Sequence, residues 1–271
     1  MRLDGAPAWS VRRELWENRS VYVAPLAAAL IFLFGHLLSL TAGPPRQGAF
    51  VEPFTFASLV MMIVGVVVGV FYCLDAFYSE RKDRSILFWK SLPVSDGTTV
   101  LSKAMVPLLV LPLFTTAATI VVHLVMLLMS SAALMMQGLT VTALWQEVAP
   151  LAMAVELLYH MVIIHVLWYA PIFAWLLLSS AWARRAPFLW AGIPILAIAV
   201  VEELVLGSTR FLDSLNYRLV NGPMNAAGSS DPMAHVNPAA YLGSPHFWIG
   251  LAVAALFLAL AARVRRRSGP T

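Results

Sequence analysis

Glu156, His160 and His165 are the residues of this sequence best placed by type and spacing to do chemistry. Glu156 and His160 stand four apart, so a helix stacks them on one face within hydrogen-bonding reach. A carboxylate beside an imidazole can relay a proton, line a polar path or satisfy its neighbour between two helices. An ionisable group at mid-bilayer costs roughly 2.5–3.5 kcal/mol, so such groups usually face protein or a water-filled path. His165 falls about 140° round the helix from His160 and leaves that face. A metal site here would need further ligands from other helices. His36 and His123 are single histidines in apolar runs and read as packing or interhelical hydrogen bonds.

Other chemistries fail at the motif. No Gly-Lys pair occurs, so there is no phosphate loop for ATP. There is no His-Glu-x-x-His zinc helix and no Gly-x-Ser-x-Gly nucleophile elbow. Glu202-Glu203 opens a Glu-Glu-x-x-x-Arg pattern of intramembrane proteases, but Gly207 holds the arginine position and Arg210 follows too late. The pair reads instead as charges at the outer membrane interface. The single cysteine, Cys73, lies in an apolar run, which excludes an internal disulfide and a thiolate cluster and suits a small buried hydrophobe.

The elements that must position these residues are membrane spans. Sixty per cent of the chain is hydrophobic, 12% is charged and the mean hydropathy is +0.79, values that exclude an ordinary soluble domain. Six apolar runs are expected to cross the bilayer, at about 21–41, 56–78, 104–130, 150–180, 187–206 and 245–262. Pro107, Pro112 and Pro171 are kink points, because each removes a backbone hydrogen bond. With the N-terminus inside, 15 of the 18 Lys and Arg residues fall on inside segments, leaving Arg46, Arg210 and Arg218 outside. Both termini and residues 79–103 are then cytoplasmic. The basic residues follow topology, and nucleic acid is not an expected partner. No cleavable signal peptide is evident. The expected fold class is an all-α membrane protein forming one polytopic domain over 1–271.

Three segments lie outside the spans. Within 1–20, Ser10 can cap a short interfacial helix carrying Trp9 and Trp16, with Arg12 and Arg13 between them. The 207–244 segment is external; Phe211, Leu212, Leu215 and Leu219 recur at helical spacing, and turn formers follow from Asn221. Residues 79–103 are the most telling. Six charges lie between Glu80 and Lys90, and then Ile86, Leu87, Phe88, Trp89 and Leu92 supply an apolar face. Pro93 is expected to end one helix over 79–92. A bare hairpin needs none of this, and large apolar residues in a cytoplasmic loop want a surface to pack on. Asp75, one turn earlier, can pair with Arg81 or with a cation on another helix.

The run from Tyr78 to Lys103, with its Glu80-Arg81, its apolar helix and its Leu92-Pro93-Val94-Ser95 turn, resembles the coupling region of ABC-2-type transporter permeases. The resemblance is specific over those residues and general in topology elsewhere. It implies that Glu80, Arg81 and Arg84 begin a coupling helix, that Ile86, Phe88, Trp89 and Leu92 form its buried face, and that Pro93 leads its exit turn. It implies a separate P-loop ATPase subunit that holds ATP and Mg, and a second permease copy or related permease. It also implies a bacterial inner membrane location and export of a small amphipathic molecule, peptide or lipid. The chain itself is not expected to be an enzyme, and no cofactor or metal is expected in it. The alternative is a gradient-driven secondary transporter with Glu156 and His160 as its coupling pair.

Overall fold

The computed structural model describes residues 6–43, 50–91, 94–221 and 238–267. Leu92, Pro93 and the turn-rich stretch after Asn221 fall outside the described residues. Among the described residues the regular structure is helical, with no strand.

In chain order the helices are α1 (Ala6–Glu17), α2 (Ser20–Ala42), α3 (Glu52–Asp75), α4 (Tyr78–Lys82), α5 (Ile86–Ser91), α6 (Asp96–Met105) and α7 (Leu111–Met136). They continue with α8 (Thr142–Val148), α9 (Pro150–Tyr159), α10 (Ala170–Trp182), α11 (Pro187–Leu206), α12 (Arg210–Asn216), α13 (Pro238–Leu242) and α14 (Pro245–Arg267). Three π-helical segments interrupt this series: Val106–Val110, His160–Trp168 and Tyr217–Asn221. Among the described residues six stretches are long and apolar enough to cross a membrane: Ser20–Ala42, Glu52–Lys82, Asp96–Met136, Thr142–Trp168, Pro187–Leu206 and Pro245–Arg267. By length and hydropathy this is a multi-pass membrane protein.

The proline positions explain the irregular helix geometry. Pro107 lies inside the first π segment, and Pro112 sits in the first turn of α7. The expected fourth run over 150–180 divides at Tyr169, where Pro171 opens α10 as a separate helix. A proline has no N–H to give, so the backbone restarts or widens its hydrogen-bonding register there. Ala149 and Ala186, each just before a proline, take left-handed backbone angles of φ 41° and 45°. The proline ring disfavours the right-handed helical region for its predecessor, so each junction becomes a sharp corner.

The described residues fall into two compact units, the first drawn from Met1–Asn18, Gly69–Leu109 and Ile163–Thr271, the second from Arg19–Val68 and Val110–Val162. In the second unit α2 packs on α7 around a core that includes Phe54, Ala57, Met61, Met126 and Leu127. Its histidines are interhelical partners. His36 Nε2 meets Ser130 Oγ at 3.0 Å, and His123 Nε2 meets the Phe54 carbonyl oxygen at 3.0 Å. Gly65 faces Thr115; a Cβ there would lie 3.2 Å from Thr115 Cγ2, so the glycine permits the approach of α3 to α7.

In the first unit α10 and α14 pack together through Ala170, Ala174 and Ala254. Small side chains let two helix backbones approach where lipid supplies no hydrophobic drive between them. Trp175 Nε1 donates to the Ala191 carbonyl at 3.0 Å, tying α10 to α11. Cys73 is fully buried, as its apolar setting predicts.

Candidate functional site

The described part of the 79–92 run, residues 79–91, is two short helices rather than one. α4 ends at Lys82, and Arg84 adopts φ 59°, a left-handed conformation costing a side-chain-bearing residue about 1–2 kcal/mol. The Asp83 and Arg84 N–H groups close on the Ser79 and Arg81 carbonyls, and α5 starts afresh at Ile86. The charged half of the segment therefore turns independently of its apolar half.

Glu80 and Arg81 face inward. They are 5% and 4% exposed and are consumed by contacts within the chain. Arg81 Nη2 donates to the Ser180 and Ala183 carbonyls at 2.5 Å each. These are orphan acceptors at the C-terminal end of α10, where the helix dipole favours a cation. Asp75 is exposed, and Arg81 bonds these carbonyls rather than pairing with it.

Glu80 belongs to a buried ionic cluster drawn from four helices. Lys103 of α6 stands at its centre. Its Nζ lies 2.9 Å from Glu14 Oε1, donates to Glu14 Oε2 at 3.0 Å and stands 3.1 Å from Glu80 Oε1. The approach to Glu80 is an ion pair. Arg265 of α14 donates from Nη1 to Glu80 Oε2 at 2.5 Å, and its Nε lies 3.2 Å from Asp96 Oδ1. Arg13 Nη2 reaches Glu14 Oε1 at 2.6 Å, and Tyr72 of α3 donates its hydroxyl to Glu14 Oε2 at 3.0 Å. Glu14, Glu80, Lys103 and Arg265 are all 5% exposed or less. Two carboxylates face two cations, so the buried set is neutral. Each ion has partners on at least two helices, which is the condition under which buried charges are tolerated.

The apolar half divides by side. Ile86 is buried at 2%. Trp89 lies under the Arg13 guanidinium at 3.8 Å from its ring centroid, a cation–π contact within the chain. Leu87 and Phe88 point away, each 59% exposed, with Phe88 set edge-on to Trp89 at 4.8 Å. Of the apolar face expected to meet a partner, the described residues leave Leu87 and Phe88 outward, while Ile86 and Trp89 secure α5 to its own chain. Arg84 is exposed.

Glu14, Arg265 and Asp96 belong to this cluster, and the sequence alone did not point to them. Arg265 registered only as a topology charge, and Glu14 as one polar residue of an interfacial helix. α1 begins at Ala6, four residues before the expected Ser10 cap, and Ser10 is buried inside it. Trp9 and Trp16 are 52% and 66% exposed. The signal that was available is the occurrence of an acid, Glu14, between Trp residues where a lipid-facing helix would carry only bases.

Glu156 and His160 do not form the expected side-chain pair. The Nδ1–H of His160 donates instead to the Glu156 carbonyl oxygen at 2.9 Å, at the junction of α9 and the π segment. Both side chains are half-buried. Glu202 accepts from Ser208 Oγ at 2.7 Å and from the Phe211 N–H at 2.9 Å, so it caps the start of α12. No protein-family model, curated protein or solved structure matches this chain.

Proposed function

We propose that this chain is the membrane-spanning subunit of an ATP-driven transporter of the ABC-2 type, worked by a separate P-loop ATPase. In this reading α1 is an interfacial elbow helix and α4–α5 is the coupling element between spans two and three. The termini and α4–α5 face the cytoplasm of a bacterial inner membrane. A second permease, identical or related, completes the transporter. The cargo is a small amphipathic molecule, peptide or lipid, and the direction is export.

One observation carries the reading: Leu87 and Phe88 form an outward apolar tip on a short helix whose root is locked into the chain. A tip meant only to mark topology needs no such root. Force applied to α5 passes through Trp89 to Arg13, and through α4 to Glu80, and so reaches α1, α6 and α14 together. A mechanical input is useful only if the element that receives it cannot move alone.

The test is to tag the full chain, extract it in mild detergent and identify what copurifies. A stoichiometric P-loop ATPase, lost in Leu87→Ala/Phe88→Ala, supports the reading. That pair is chosen because neither residue holds the fold, whereas Trp89 does. A folded chain with no ATPase, active in vesicles under a proton gradient alone, transfers the assignment to the gradient-driven alternative. Glu156 and His160, at the mouth of a π segment of nine residues, would then be the coupling candidates.

A further inference from the structure

We propose that the outward end of α14, Arg266 and Arg267, forms one docking surface with α5, and that it fits an apolar groove rimmed by carboxylates on the ATPase partner. This rests on the functional reading above and adds the chemistry of the partner's face. Lys90 of α5 donates from Nζ to the Arg266 carbonyl oxygen at 3.5 Å, so the last turn of α14 lies alongside α5. That turn is fixed in place, because Arg265 is 3% exposed and bound to Glu80 at 2.5 Å. The two residues that follow are both exposed. Lys82 and Arg84, a few residues before Leu87 and Phe88 in the chain, are exposed as well. Lys82, Arg84, Lys90, Arg266 and Arg267 thus make five exposed cations on α4, α5, their link and the end of α14, with Asp83 an exposed acid in the same run.

An anionic lipid surface would also attract these cations. The shape of the apolar part favours a protein. A helix that anchors in lipid spreads its apolar stripe along several turns. α5 has six residues, under two turns, and presents only two apolar side chains outward. Two outward apolar side chains on a segment rich in exposed cations have the composition of a pocket-filling anchor with a polar rim. The complement is an apolar slot with acids at its edge.

The experiment uses full-length chain in nanodiscs and the ATPase that copurifies with it, titrated at about 0.1 and 0.5 M NaCl. Arg266→Glu/Arg267→Glu should weaken ATPase binding about ten-fold in purely zwitterionic lipid, and high salt should weaken the wild type similarly. Phe88→Ala should weaken it at both salt concentrations. Unchanged affinity in the arginine variant, with Phe88→Ala still defective, overturns the shared surface and leaves the functional reading standing. An arginine effect that appears only in nanodiscs containing phosphatidylglycerol assigns those residues to lipid and overturns the proposal. If no ATPase copurifies, the functional reading falls and this inference falls with it.

Discussion

Lys103 is the most deeply buried cation of the ionic cluster in the first unit. It pairs with both Glu14 and Glu80, as the more exposed Arg13 also does, and both carboxylates are buried. Breaking a buried pair by removing one member costs about 3–5 kcal/mol, whereas removing charges of both signs together costs far less. Lys103→Met is therefore expected to destabilise the protein by about 3–5 kcal/mol. Glu14→Gln added to Lys103→Met should recover part of that loss, because one stranded carboxylate disappears. Thermal unfolding of the singles and the double in detergent measures this coupling. Strict additivity would show that the cluster is not one electrostatic unit. Nothing in the sequence marked this partnership: Glu14 and Lys103 are 89 positions apart, and Arg265 and Glu80 are 185 apart. A period or motif search sees neighbours, and these ions meet only because four helix ends converge.

At the scale of elements, the spans were legible because each needs about 20 apolar residues, a signal that no tertiary contact can erase. Their ends were less so. The third run, expected from 104, starts at Asp96, because Ser95 caps α6 by accepting the Thr98 N–H, and the amphipathic turn adds polar residues that hydropathy discards. The break inside 79–92 was also hidden, since Arg84 is an ordinary helix former by propensity. Its left-handed angle stands between Arg81 and Ile86, both of them buried. Arg84→Gly should relieve that angle and keep or raise stability, by up to about 1 kcal/mol. Arg84→Pro, which demands φ near −65°, should disrupt the turn and lower the unfolding temperature. Equal tolerance of both would contradict the left-handed turn.

A second element-scale device ties the segment after α12 to the rest of the first unit. Arg218, just beyond α12, donates from Nη1 to the Trp168 carbonyl at 2.8 Å and from Nη2 to the His246 carbonyl. Its guanidinium stacks 4.5 Å from the Trp168 ring, and Trp168 Nε1 returns a bond to the Arg218 carbonyl at 2.8 Å. Burial pushes the guanidinium pKa down from its usual value, yet a guanidinium stays protonated throughout the working range. Gly250 leaves the space this group fills; a Cβ there would collide with it. Gly250→Ala should thus mimic Arg218→Ala, each costing about 1–3 kcal/mol through carbonyls left without donors. In an Arg218→Ala background the glycine change should cost almost nothing, since the two act on one contact. Additive losses in the double variant would show that Gly250 serves the helix and not the arginine.

At the scale of the whole molecule, orientation rests on an asymmetry of 15 basic residues against three. Charge retention on the inner side is a property of insertion, so it leaves no trace in helix packing and must be tested in the membrane. The protein supplies its own silent background for that test. Cys73 is the single cysteine and is fully buried, so an impermeant maleimide should leave the native chain unlabelled. Single cysteines placed at exposed Lys82, Arg185 and Arg267 should label only in inside-out vesicles, and one at Asp213 only in intact, right-side-out cells. The four sites sample α4, the α10–α11 junction, the end of α14 and α12, so each reports a different connection. If Lys82→Cys and Arg267→Cys label from outside, α5 and the α14 end cannot meet a cytoplasmic ATPase. The transporter reading would then fail on topology alone, whatever copurifies.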